Sequence, residues 1–236
     1  MRAALLVVFV ASACRTYEYE EEVYLETGGS GQIRMSGSAA AIEALHELDE
    51  ATPENASSLF DGEGVEVLSA RETEREDRKF IHVEARFSDW EKLCALPAFR
   101  GRRCRFDEGD RDLALELSLP SPMGTAPESL DPHAVLALRY HFPGTIRHHN
   151  SPKGVERGNI LSWERTVREH FAGRPFALEV RFDRRTILAT TLWIVGTALA
   201  LVAASIALAL FLMVQKGRRQ LRADSIAAYP SRSAHP

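Results

Sequence analysis

Two cysteines, Cys94 and Cys104, stand ten residues apart in the middle of this chain, with Cys14 as the third. In an oxidising compartment such a pair reads as a disulfide, here joining the end of a helix to the next strand. The alternative is two separate thiols. Their spacing is not Cys-x-x-Cys, so a redox-active pair is not indicated. His148-His149-Asn150 offers two imidazoles, but neighbours on a strand point to opposite faces and no carboxylate-rich segment lies nearby. An exposed turn before Ser151-Pro152 is expected there, and no metal site. Asp107-Glu108-Gly109-Asp110-Arg111-Asp112 lacks the spacing and terminal Glu of a calcium loop and reads as a hairpin turn. Arg100-Gly101-Arg102-Arg103-Cys104-Arg105 is a basic cluster that could face anionic headgroups or pair with neighbouring carboxylates, the second being expected. Gly-x-Ser-x-Gly, His-Glu-x-x-His and phosphate-loop motifs are absent from the sequence. No catalytic residue and no cofactor is expected.

The elements that hold these residues follow from hydropathy. Tyr17, Tyr19, Val23 and Leu25 share one parity, as do Ile81 to Phe87, Leu113 to Leu119, Leu136 to Phe142 and Phe176 to Phe182. Alternation of this kind marks half-buried strands. Ile33-Arg34-Met35 and Val65 to Leu68 are shorter candidates. A helix is predicted over Ser38 to Glu50 with Ser38 as N-cap, and a second from Ser88, where Ser88 and Glu91 form a capping box and Pro97 stops the helix. Strands recurring around two short helices give an α+β class with mainly antiparallel pairing. Gly124 to Pro132 reads as a linker dividing the domain into two lobes.

The two ends carry an address. Ile187 to Val214 has no charged residue, and its 28 residues reach about 42 Å as a helix against a bilayer core of about 30 Å. A transmembrane helix over 186–214 is expected. Lys216, Arg218, Arg219 and Arg222 outweigh Arg184 and Arg185, which places the C-terminal tail, 215–236, in the cytoplasm. That tail is read as disordered. Gly196, Ala200 and Ala204 form a small-residue row that would suit a helix-mediated dimer. At the other end, a basic Arg2, an apolar stretch from Ala3 to Val10 and the small residues Ala11-Ser12-Ala13 describe a signal peptide over 1–13. Cleavage after Ala13 at an ordinary signal site is one outcome.

Cys14 after those small residues resembles the lipobox of bacterial lipoproteins, which implies lipid attachment at Cys14. Further features resemble the LppM-like family of such lipoproteins. Glu20 to Ser36, with Gly28-Gly29-Ser30-Gly31 at its tip, looks like the family's opening hairpin. The helix of Ala39 to Leu48, the strand leading into Phe87-Ser88-Asp89-Trp90-Glu91-Lys92-Leu93, and Phe142-Pro143-Gly144 followed by Gly158-Asn159 to Trp163 continue the pattern. The resemblance implies an architecture and an envelope location, and carries over no catalytic residues.

Between Arg15 and Arg185 there are 23 Lys and Arg against 32 Asp and Glu, so the net charge is −9. Nucleic acid is thereby excluded as a partner, because phosphate contacts need clustered cations. The expected protein is a non-catalytic envelope lipoprotein, single-pass in the bacterial cytoplasmic membrane, with residues 14–185 outside the cytoplasm. It would bind an envelope protein or support assembly. A lipid-binding module is the alternative, favoured by a wide apolar cavity and disfavoured by a filled core; a hydrolase ranks third.

Overall fold

Alternating inward and outward side chains build two sheets. The computed structural model describes residues 17–110, 112–121 and 125–227, with the backbone alone for 185–190 and 217–227. Cys14, the signal segment and 228–236 lie outside the described residues. The strands are β1 (Tyr17–Leu25), β2 (Gly31–Ser38), β3 (Val65–Arg75), β4 (Arg78–Phe87), β5 (Arg103–Glu108), β6 (Asp112–Leu119), β7 (Val135–His141), β8 (Gly144–His149), β9 (Ile160–Thr166) and β10 (Phe176–Thr186). One sheet has six strands in the order β3-β4-β2-β1-β7-β9, and the other has four, β5-β6-β10-β8. Every pairing is antiparallel except β1 with β7, which run parallel from Tyr17 opposite Val135 to Tyr24 opposite His141. The α+β class holds.

The inward residues of both sheets merge in one core. Trp90 lies at its centre, edge-on to Phe87, Phe99 and Tyr140 at 6.2–6.3 Å between ring centres. Phe182 of β10 meets Phe142 at 5.0 Å and Phe106 of β5 at 6.5 Å. Gly31 opens β2 where a Cβ would stand 2.1 Å from the Tyr24 carbonyl oxygen, so the tip of the β1–β2 hairpin requires glycine.

The short helices depart from expectation in instructive ways. α1 (Ala39–His46) starts as expected, its first turn capped by the Ser38 hydroxyl accepting from the Ala41 N–H at 3.1 Å. It ends four residues early, at Glu47 in the left-handed region. α2 (Pro53–Ser58) follows, opened by Thr52 and Pro53. α3 (Trp90–Cys94) is capped by Asp89, whose carboxylate accepts from the Glu91 N–H at 2.7 Å; Ser88 is not the cap. The reciprocal capping box lies instead at Thr166 and Glu169, opening α4 (Val167–Phe171). A single 3-10 turn covers Pro97–Phe99.

Residues 124–132 do not divide the domain into two lobes. Across that segment β1 pairs with β7 and β6 with β10, and Leu130 within it is buried in the common core. The described residues through Thr186 form one compact unit, and a second begins at Ile187. The second is α5 (Ile187–Ala227), of which Thr191–Lys216 is long and apolar enough to cross a membrane. The helix continues past Val214 to Ala227, so the expected disordered tail is helical over its first thirteen residues. No proline occurs between Pro175 and Pro230 to stop the helix.

Candidate functional site

Strand β1 carries six charged or phenolic side chains in a row, Tyr17 to Glu22, and the pleat sends them to two different environments. Glu21 shares the inward parity of Tyr19, Val23 and Leu25 and is buried. A lone carboxylate there would be too costly, and Arg102 meets it at 2.7 Å, both side chains being 2% exposed. Tyr140 donates to Glu21 Oε1 at 2.9 Å and Tyr19 to Oε2 at 3.3 Å. The Tyr19 oxygen also reaches His46 Nε2 at 3.1 Å, and the guanidinium of Arg102 stands 4.4 Å from the centre of the Phe99 ring. Burial, then the Glu21 charge, pushes the phenol of Tyr19 well up, and burial likewise raises that of Tyr140. Burial, then Arg102, depresses His46 to about 3, so its imidazole is neutral. Glu18, buried at the bulge in β1, is held by the Ser38 hydroxyl and Arg78.

The opposite face of the six-stranded sheet reaches solvent and carries a fixed array of polar groups. Arg139 pairs with Glu20 at 2.8 Å, His141 with Glu22 at 2.7 Å, and Arg34 with Glu84 at 3.1 Å. The His141 hydrogen bond holds the Glu22 carboxyl below the ordinary range. Tyr24 stacks on His141 at 4.0 Å and lies 5.1 Å beneath the Arg34 guanidinium. Further across, Ser36 Oγ lies 2.7 Å from His82 Nδ1, and His82 Nε2 lies 2.8 Å from Thr73 Oγ1.

Among the described residues, the Ser36–His82 contact pairs a hydroxyl with an imidazole. The imidazole is oriented by a threonine hydroxyl where a carboxylate would stabilise the imidazolium. Ser36 sits within the β1-β2-β4 ladder, opposite Glu20 and His82.

The residues singled out by sequence are distributed as follows. Cys94 ends α3 and Cys104 lies in β5; both are free thiols, and Cys104 lies near enough to Cys94 to affect its acidity. That proximity, and then burial, pushes the Cys94 thiol up. His148 and His149 belong to β8, paired with Arg181 and Val180 of β10, and do not form a turn. β10 is the strand that β8 closes on, its Phe182 pairing with Ile146 as well. Among the described residues no group of three or more His, Cys, Asp or Glu could hold a metal ion. Of the basic cluster, Arg102 is buried against Glu21 and Arg105 pairs with Asp107 at 2.8 Å, as the pairing alternative anticipates. The acidic loop is the β5–β6 turn, closed by the Gly109 N–H donating to the Asp112 carbonyl at 2.9 Å. Sequence reasoning missed Glu21 and Glu18. For Glu21 the available signal was a carboxylate on the apolar parity of a strand; Glu18 is off that parity and is buried only because of the bulge.

No family model matches this chain, and no curated protein matches it. Among solved structures, the NMR structure of the folded domain of LppM from Mycobacterium tuberculosis is similar, with a TM-score of 0.41 and 13% identity over 74% of this chain and 95% of that one. At that level neither a family nor a function follows.

Proposed function

We propose that this chain is a membrane-tethered envelope protein whose domain stands outside the cytoplasm and works by binding a partner protein, without a catalytic step. The observation that carries this reading is the solvent face of the six-stranded sheet. Tyr24, Arg34, Arg139 and His141 are held there in set positions by stacking and ion pairs. Tyrosine and arginine are the side chains that most often anchor protein interfaces, and groups already fixed lose little freedom on binding. The interior gives acyl-chain binding less support. Trp90, Tyr19, Tyr140, Phe60, Phe87 and Phe99 fill it as fully buried side chains.

A photo-crosslinking residue at Tyr24 in the full chain, expressed in a bacterial envelope, should give one discrete adduct that Arg34→Glu abolishes. The same residue at exposed Glu54 on α2 should give none. Equal patterns from both positions, or no adduct at 24, would refute partner binding by this face. In the same cells alkaline phosphatase fused after Arg185 should be active and fused after Arg222 inactive, by the bias of basic flanks. The reverse pattern would overturn the topology.

The address also bears on the thiols. In an oxidising compartment Cys94 and Cys104, already close, should form a disulfide. Closing so short a loop adds about 2–3 kcal/mol of stability. Alkylation of the exported protein with and without reductant should reveal two thiols only after reduction; free thiols before it would end the idea.

A further inference from the structure

The C-terminal end of α1, the end of α2, the Pro97–Phe99 turn, the start of β5, the end of β6 and α4 converge on a cavity of about 450 Å³. About half of its lining is apolar, chiefly Leu45, Leu48, Leu59 and Leu119. Four nitrogen-bearing side chains line it; His46 is engaged with Tyr19 through Nε2, and the other three give the cavity its chemical character. Arg100 stands at the exposed rim. Arg102 lines it, and although its Nη1 is committed to Glu21, its Nε–H is buried without a partner. His170 lines it with a fully buried side chain, and neither ring nitrogen has a partner.

A buried polar group without a hydrogen bond costs about 1–3 kcal/mol. An occupant that meets the His170 ring and the Arg102 Nε–H recovers that cost. Both arginine contacts are donors, and a neutral imidazole supplies one more N–H. Glu47 is the one carboxylate among the lining residues, so the cavity favours negative charge. A volume of this size suits a small ligand with an apolar body.

We propose that this cavity is a binding site for a small organic anion, a carboxylate on an apolar body of on the order of ten non-hydrogen atoms. The site lies apart from the solvent face of the six-stranded sheet and is independent of partner binding there. Hydrogen bonds from Arg100 and Arg102 Nε take the carboxylate, His170 completes its hydrogen bonding, and the leucines cover the body. The charge-assisted bonds set the preference for an anion over a neutral molecule of equal shape.

The probe is 3-phenylpropionate, titrated into the full chain in phosphatidylcholine nanodiscs and read by ¹⁵N resonances of the histidine rings. Saturable binding that moves the His170 resonances is expected, with 3-phenylpropan-1-ol about tenfold weaker, the equivalent of roughly 1.4 kcal/mol. His170→Phe should weaken the acid by a similar factor. Arg100→Ala, at the exposed rim where folding is not at stake, should weaken the acid and leave the alcohol unchanged. Equal binding of acid and alcohol, an unchanged affinity in Arg100→Ala, or no saturation would overturn the proposal. Inorganic phosphate binding as tightly as the acid would overturn it too, by showing that the apolar walls contribute nothing.

Discussion

Replacing Arg102 with methionine should lower the stability of the β-rich unit by about 3–5 kcal/mol, among the largest effects available to a single substitution here. The loss comes from Glu21 more than from the missing attraction. Both side chains are 2% exposed, so removing the guanidinium leaves a carboxylate without its counter-charge in a low-dielectric interior. The hydroxyls of Tyr19 and Tyr140 still donate to it, which keeps the cost from rising further. Removing both charges, as Glu21→Leu with Arg102→Met, should restore much of the loss, because an apolar pair avoids the desolvation that an ion pair has to overcome. Urea unfolding of the full chain in detergent, followed by tryptophan fluorescence, gives the double-mutant cycle. If the single and double substitutions are equally destabilising, the pair is not a coupled unit and its placement at the centre of the core has another basis.

The second large effect is on acid stability. His170 is depressed to about 4, by burial and then by the charges of Arg165 and Arg102, and its ring packs on Phe171 and Phe176. An unfolded histidine titrates near 6.5. Between those values the unfolded chain binds the proton and the folded one does not, so stability rises with pH across that window. The contribution is complete above about pH 6.5 and is lost as pH falls toward 4. Its size is roughly 3 kcal/mol, at about 1.4 kcal/mol per unit. His46, depressed to about 3, acts in the same direction. Urea midpoints between pH 4 and 7 should fall steeply toward acid in the native sequence and less steeply in His170→Phe, whatever the variant's absolute stability. Identical slopes would mean that His170 is not held neutral.

The strands that sequence reveals most clearly are those with one face inward. β6 and β10 alternate without interruption, β4 does so from Ile81 onward, and α1 begins at the serine that caps it. β9 does not alternate, because Leu161, Ser162 and Trp163 are all buried, and its period is lost. α2, α3 and α4 have five or six residues each, fewer than two turns, too short for a 3.6-residue rhythm to register. The Thr166 and Glu169 pair that opens α4 was legible as a capping box and was overlooked beside Ser88 and Glu91. Glu21 was readable as an anomaly, but its partner was not. Nothing local distinguishes Arg102 from Arg100, Arg103 and Arg105; only the approach of β5 to β1 selects it. The anion cavity draws on six separate segments, and no spacing in the chain announces such a meeting.

The parallel pairing of β1 with β7 has a mechanical consequence. Tyr17 lies beside Val135, at one end of that ladder. The chain leaves the domain at Thr186, which pairs with Gly144, three residues beyond His141 at the other end. The seven residue steps of β1 alone separate those ends by about 23 Å. An acyl chain on Cys14 would have three residues of leash to Tyr17, about 10 Å at full stretch. Two moorings would therefore pull on opposite ends of one stiff plank. A lipid on Cys14 would keep the Tyr17 end of β1 within that leash of the membrane. Labelling with a clickable palmitate analogue tests for that second mooring: a mark on the native sequence that Cys14→Ala erases shows a lipid at Cys14, and no mark refutes it.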